Sequence, residues 1–244
     1  FRRSKLSEAR PDMSSNSIRC ESIVKSFGEP PFPVLKNLSF EIPPGQFVGI
    51  TGRSGSGKST LLYVVSGLDT LSDGRVFLGD EDIHAMQMKD VHKFRNSRVG
   101  FVFQFHYLLP ELTGLENILM PARKVKKDRE KKSLALSLMD QFEISHCAEK
   151  TPSQMSGGEM QRFAIARALI MDPDFLFADE PTGNLDSING RTVMDILRKI
   201  NLEHKTTILL VTHENDYAAM ADRQIHLVDG KIDSDTLQKT KKKH

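Results

Sequence analysis

The run Gly52, Arg53, Ser54, Gly55, Ser56, Gly57, Lys58, Ser59, Thr60 limits the possible folds more than any other stretch of the chain. It fits G-x-x-x-x-G-K-[ST], a loop that cradles phosphate. Gly52, Gly55 and Gly57 let the backbone turn tightly and approach a ligand without Cβ clashes. Backbone N–H groups and a helix N-terminus then form a nest of positive partial charge. Lys58 adds a full charge for the β- and γ-phosphates, and Ser59 offers a hydroxyl to Mg²⁺. The motif needs a strand before it and a helix after it. Phe47, Val48, Gly49 and Ile50 read as a buried strand, and Leu61, Leu62, Tyr63, Val64 and Val65 as the start of an apolar helix. Nucleotide binding on an α/β frame follows.

The 244 residues suffice for a sizeable core, as one domain or two closely packed lobes. A net charge of +2 carries no strong message about nucleic acid, and none is expected as a partner. No apolar run has the length of a membrane span, so action on a membrane requires docking onto a partner that spans it. Residues 1–17 read as a loose tail, basic at the start but without the apolar core of a secretory signal. Cys20 and Cys147 are unclustered and fit reduced thiols better than a metal site or a disulfide framework.

Along the chain, residues 18–25 and 38–42 alternate as strands, with a Pro-rich turn at residues 30–33. An antiparallel ribbon leading into the phosphate-loop strand is the simplest arrangement. Phe27 could stack on an adenine, although a lone Phe is more often core. Asp73-Gly74 signals a hairpin. Residues 81–96 read as helical and residues 99–103 as a strand ending at Gln104. From residue 105 to about 156 the texture is helical, with a stripe of Leu109, Leu112, Leu115, Ile118 and Leu119. The basic run from residue 123 to 132 is interrupted by Asp128 and Glu130 and reads as a solvated face.

Ser156, Gly157, Gly158 and Glu159 open a helix. Ser at a helix start is usually a cap, but two glycines leave N–H groups bare and make a second anion site. One chain needs only one phosphate loop, so the second site points to a partner subunit. Residues 175–180 read as a buried strand ending in two acids, Asp179 and Glu180. One carboxylate there can hold Mg²⁺, and the next can orient and deprotonate a water. Another core strand, residues 207–211, ends at Thr212 and His213.

Taken together, residues 18–233 resemble the ATP-binding cassette ATPases. The resemblance matches residues 52–59 to the Walker A loop, Gln104 to the Q-loop, residues 156–159 to the signature, residues 175–180 to Walker B with its catalytic Glu, residues 183–186 to the D-loop and His213 to the switch histidine. It implies an α/β P-loop NTPase fold: a mixed-sheet core at residues 18–103 and 163–233, an antiparallel β subdomain, and a helical subdomain at about residues 104–162. A basic tail is expected at residues 234–244. The resemblance assigns Glu180, His213, Lys58 and Gln104 to catalysis. It assigns Phe27, residues 52–60, Ser156, Gly157, Gly158, Glu159 and Asp186 to ATP, and Ser59, Gln104 and Asp179 to Mg²⁺. The signature departs from the commoner pattern at Met155 and Glu159, and the adenine aromatic is Phe27 rather than Tyr.

The implied mechanism is a head-to-tail pair of copies sandwiching two ATP molecules, each between one copy's loop and the other's signature. The helical subdomain and the region after Gln104 would press on two transmembrane permease subunits. Residues 103–118 with Met120 and Pro121 are similar to the ATPases of lipoprotein-releasing systems, which work on the cytoplasmic side of the bacterial inner membrane. Macrolide and peptide exporters and the cell-division pair remain alternatives. A soluble DNA-repair cassette would carry a longer insertion, and a ribosome-associated one usually a second cassette.

Overall fold

The computed structural model describes residues 16–238; the expected N-terminal and basic C-terminal tails fall largely outside them. Strand β1 (Ile18–Phe27) pairs antiparallel with β2 (Phe32–Ile42). Strand β3 (Phe47–Gly52) enters the phosphate loop, and α1 (Lys58–Val65) leaves it. The chain returns to the first sheet as β4 (Asp73–Leu78) and β5 (Glu81–Asp82), giving the order β2-β1-β4-β5. Asp73-Gly74 therefore begins a strand paired with β1 instead of turning a hairpin. Gly74 has φ +93°, and a Cβ there would meet the Glu21 and Ser22 carbonyl oxygens at 2.6 Å, so only glycine fits this close approach.

The helix expected over residues 81–96 is shorter: α2 runs Met88–Arg98. Strand β6 (Val99–Phe103) follows. Helices α3 (Gly114–Arg123) and α4 (Asp128–Gln141) come next, then two 3-10 turns, Ser145–Cys147 and Pro152–Gln154. Thr113 caps α3 with a capping box, so Leu109 and Leu112 lie in the preceding loop and not on the helical stripe. Helix α5 (Gly157–Leu169) crosses the expected boundary at residue 162 without a break. Then come β7 (Phe175–Asp179), α6 (Ser187–His204), β8 (Thr207–Val211), α7 (Asn215–Ala218), β9 (Arg223–Val228) and β10 (Lys231–Leu237). Residues 234–237, assigned from sequence to the tail, instead pair with β9.

The second sheet has the order β10-β9-β3-β8-β7-β6, parallel except for β10. Strands β7 and β8 are buried at every residue, as parallel strands covered on both faces must be. Side-chain alternation feeds two cores. Phe175, Phe177, Leu209 and Val211 face α1 and the antiparallel sheet. Leu176, Ala178, Ile208 and Leu210 face α3, α4, α5 and α6.

Register sets the functional edge. Ile50 lies opposite Val211, Val211 opposite Asp179, and Asp179 opposite Phe103. The residues that follow these four are therefore delivered to one carboxyl edge of the sheet, where α/β folds bind ligands. Among the described residues no helix is long and apolar enough to cross a membrane.

Candidate active site

The phosphate loop is held by its own backbone geometry. Gly52 has φ +143°, and a Cβ there would sit 2.4 Å from the Leu227 carbonyl oxygen. Gly57, with φ +99°, is the N-cap of α1. Lys58 Nζ donates to the carbonyls of Gly52 and Arg53, both at 2.9 Å. Among the described residues the ammonium has no carboxylate partner. A buried cation capped only by carbonyls, beside the bare N-terminus of α1, has the electrostatics of a phosphate site. Ser54, Gly55, Gly57, Lys58, Ser59 and Thr60 line a cavity of ≈ 540 Å³ together with Val34, Glu180 and His213. The side chains of Arg53 and Ser56 do not line it; among the described residues the buried Ser56 hydroxyl has no hydrogen-bond partner.

Asp179 and Glu180 diverge at the end of β7. Asp179 Oδ1 accepts from the Ser59 hydroxyl at 3.0 Å and Oδ2 from the Tyr63 hydroxyl at 2.7 Å. Burial, and then the bond to Asp179, push the Tyr63 phenol well above its ordinary value. Its proton therefore stays on and points at the carboxylate. Ser59 and Asp179 form a pair of hard oxygen donors suited to Mg²⁺. Glu180 adopts φ +46°, a left-handed conformation that an L-residue occupies only when its surroundings enforce it. It leaves the strand's alternation and faces the cavity, where Oε2 lies 3.2 Å from His213 Nδ1.

Gln104 does not line the cavity. Its amide donates to Asn184 Oδ1 at 3.1 Å, and Asn184 Nδ2 donates back to the Gln104 carbonyl at 3.2 Å. The side chain lies against Gly183 in the turn after β7. Phe27 is 46% exposed, with Lys25 Nζ 4.7 Å from its ring centroid on one face.

Ser156 accepts from Glu159 N–H at 3.3 Å, while Glu159 Oε2 accepts from Ser156 N–H at 2.7 Å and its hydroxyl at 2.8 Å. These bonds, with those from Cys147 and His146, outweigh burial and hold the Glu159 carboxyl down at about 2. Asp186 caps α6 by accepting from Ile188 and Asn189 N–H groups at 3.0 and 2.9 Å. Neither residues 156–159 nor Asp186 line the phosphate cavity of their own chain.

Residues 35–183 match the ABC transporter family. The lipoprotein-releasing system ATP-binding protein LolD of Leptospira interrogans is 49% identical over 218 residues, which cover 89% of this chain and 91% of that one. The LolD of Aquifex aeolicus is 46% identical over 216 residues, 88% and 95% of the two chains. The dimeric post-hydrolysis structure of the ATP-binding cassette MJ0796 with ADP and Pi superposes with a TM-score of 0.82 at 34% identity, covering 91% of this chain and 99% of that one. The chain belongs to the ABC transporter family. It is an ATP-hydrolysing cassette of that family, with the α/β P-loop fold expected from its sequence.

In this cassette several site-supporting residues have no sequence signal of their own. Tyr63 sits among apolar residues of α1 and reads as core. Gln161, fully buried, donates to the Phe103 and Pro181 carbonyls at 3.2 and 2.7 Å, tying α5 to the ends of β6 and β7. Arg167 donates to the carbonyls of Tyr107 and His106 at 2.5 and 2.7 Å and so fixes the segment after Gln104.

Proposed function

We propose that this cassette is the ATPase subunit of a lipoprotein-releasing system, acting on the cytoplasmic face of a bacterial inner membrane. The supporting observation is its 49% identity, over most of both chains, to an ATP-binding protein named for that system. Two copies would close over two ATP molecules. The cavity of one chain lacks any residue of its own signature, and related cassettes are solved as dimers. The helical region at residues 104–162 and the segment after Gln104 would dock two transmembrane permease subunits.

In this reading ATP's phosphates enter the loop, where Lys58 and the N–H groups at the start of α1 meet their charge. The adenine stacks on the open face of Phe27, whose other face carries Lys25. Ser59 and Asp179 are the residues that would hold Mg²⁺, which neutralises charge at the β- and γ-phosphates. Glu180 accepts a proton from the water that attacks the γ-phosphorus, and the bond to ADP breaks. His213, held by Glu180, contacts the γ-phosphate. Ser156 and the Gly157 and Gly158 N–H groups serve the ATP of the other copy, beside the turn that Asp186 caps. Gln104 and Asn184 form the link by which nucleotide occupancy reaches the helical region.

The test is a detergent pull-down of tagged Glu180→Gln protein from its native membranes with ATP and Mg²⁺. A permease pair carrying lipoprotein supports the proposal. The same type of permease without lipoprotein moves the assignment to an efflux or cell-division system. No membrane partner at all, with DNA or ribosomes retained instead, overturns the transporter reading.

A further inference from the structure

The sequence places Cys147 alone, but the fold does not. The 3-10 turn Ser145–Cys147 packs beside the first turn of α5 and brings two side chains to one carboxylate oxygen. Glu159 Oε1 accepts from Cys147 Sγ at 3.1 Å and lies 2.6 Å from His146 Nε2. One ligand atom from each of the three residues falls within 4.8 Å of the other two. The cap of α5 uses only the other oxygen, Oε2. Oε1 is therefore available to a cation without loss of the cap.

The donor set is one thiol, one imidazole and one carboxylate. Zn²⁺ accepts all three and is content with three protein ligands and a water. Access is from one side: the His146 side chain is 59% exposed and that of Glu159 16%, while Cys147 is buried behind them. Burial, and then the hydrogen bond to Glu159, push the Cys147 thiol above its ordinary value, so an incoming metal must displace a proton that the free protein holds.

We propose that His146, Cys147 and Glu159 form a Zn²⁺ site, one ion per chain, at the foot of the signature helix. Binding forms sulfur–zinc, nitrogen–zinc and oxygen–zinc bonds to the Cys147 thiolate, the neutral His146 imidazole and Glu159 Oε1, displaces waters from the hydrated ion, and releases the thiol proton to solvent; no electron is transferred. The ion would clamp the 3-10 turn to the helix whose cap is Ser156.

The experiment uses the full chain stripped of metal with a chelator and titrated with Cd²⁺ and with Zn²⁺ alone, nucleotide absent. We expect a thiolate-to-Cd²⁺ charge-transfer band saturating at one equivalent, and one Zn²⁺ per chain by competition with a chromophoric chelator. Cys147→Ser should abolish the band. His146→Ala, at an exposed position, should weaken Zn²⁺ binding by at least ~10-fold while leaving the far-UV spectrum unchanged. Cys20→Ser, on β1 of the other sheet, should retain both signals. Absence of the band in the unaltered protein overturns the proposal. So does a band that persists in Cys147→Ser, or Zn²⁺ affinity indifferent to both Cys147→Ser and His146→Ala, which would place the ion at another site.

Discussion

Asn117 offers the sharpest test of how the loop after Gln104 is held. It is fully buried on α3, at 0% exposure. Its Nδ2 donates to the carbonyls of Leu109, Leu112 and Thr113, each at 3.1 Å, and its Oδ1 accepts from Leu109 N–H at 2.8 Å. Replacement by Ala removes all four contacts at once. Two of the carbonyls keep another partner: Thr113 still accepts from the residue-117 N–H, and Leu109 from Leu112 N–H. The Leu109 N–H and the Leu112 carbonyl lose theirs. At about 1–3 kcal/mol for each stranded buried group, and with Leu109 itself 40% exposed and open to water, the expected loss is about 3 kcal/mol. For a chain of this size that lowers Tm by about 6–12 °C. Asn117→Asp keeps the acceptor and loses every donor, turning a carboxylate oxygen toward carbonyl oxygens, so it should be no more stable than Asn117→Ala. Thermal unfolding followed by circular dichroism, paired with urea midpoints, measures both. A loss below about 0.5 kcal/mol for Ala, or an Asp variant matching the unaltered protein, would refute the claim that this side chain supports the loop.

Glu180→Gln should lose ~10²–10⁴-fold of ATP turnover while still binding ATP, checked by steady-state hydrolysis beside equilibrium nucleotide binding; near-normal turnover would remove Glu180 from the role of base. Tyr63→Phe deletes the donor that holds Asp179 Oδ2. It should raise the Mg²⁺ concentration for half-maximal hydrolysis by about 10-fold, the scale of one hydrogen bond to a charged group; a Mg²⁺ titration that does not shift would show that Tyr63 only packs. Glu159 has its folded value lowered from 4.5 to about 2. Its stabilising contribution is therefore complete above the unfolded value and lost as pH falls toward the folded one. The Tm gap between the unaltered protein and Glu159→Gln should shrink steadily on acidification through that window, and a gap constant with pH would contradict it.

What could be read from sequence was the chemistry carried by backbone and by residue type at fixed spacing. The loop needed its glycines at positions of positive φ, and Gly52 and Gly57 have them. The apolar runs of β7 and β8 marked strands covered on both faces. What could not be read were residues whose role is a distant partner. Tyr63 meets Asp179 across 116 positions of sequence, and Gln104 meets Asn184 across 80. A tyrosine in an apolar helix and an asparagine in a polar turn look the same with or without those partners. The false hairpin at Asp73-Gly74 has a similar origin. A glycine required by close strand approach gives the same local signal as one required by a turn. The leucines before α3 mimicked a helical period because Asn117 folds their backbone onto that helix.

The divergence of Asp179 and Glu180 explains how adjacent carboxylates can take different tasks. A regular strand would send them to opposite faces, one of them into the core. Instead β7 ends at Asp179, and the left-handed turn at Glu180 redirects the second side chain along the sheet edge. Asp179 is then occupied by two hydroxyl donors, while Glu180 faces the cavity with His213 beside it. The conformation costs on the order of 1–3 kcal/mol. The surrounding structure enforces it: Glu180 N–H donates to the Val211 carbonyl at 2.9 Å, and its own carbonyl accepts from Gly183 at 3.0 Å. The same turn continues into Asn184, the partner of Gln104, and Asp186, the cap of α6. Whatever shifts Glu180 must therefore strain the link to the helical region. A γ-phosphate that draws Glu180 and His213 toward it would be felt at Gln104 through the hydrogen-bonded turn and the Asn184 side chain.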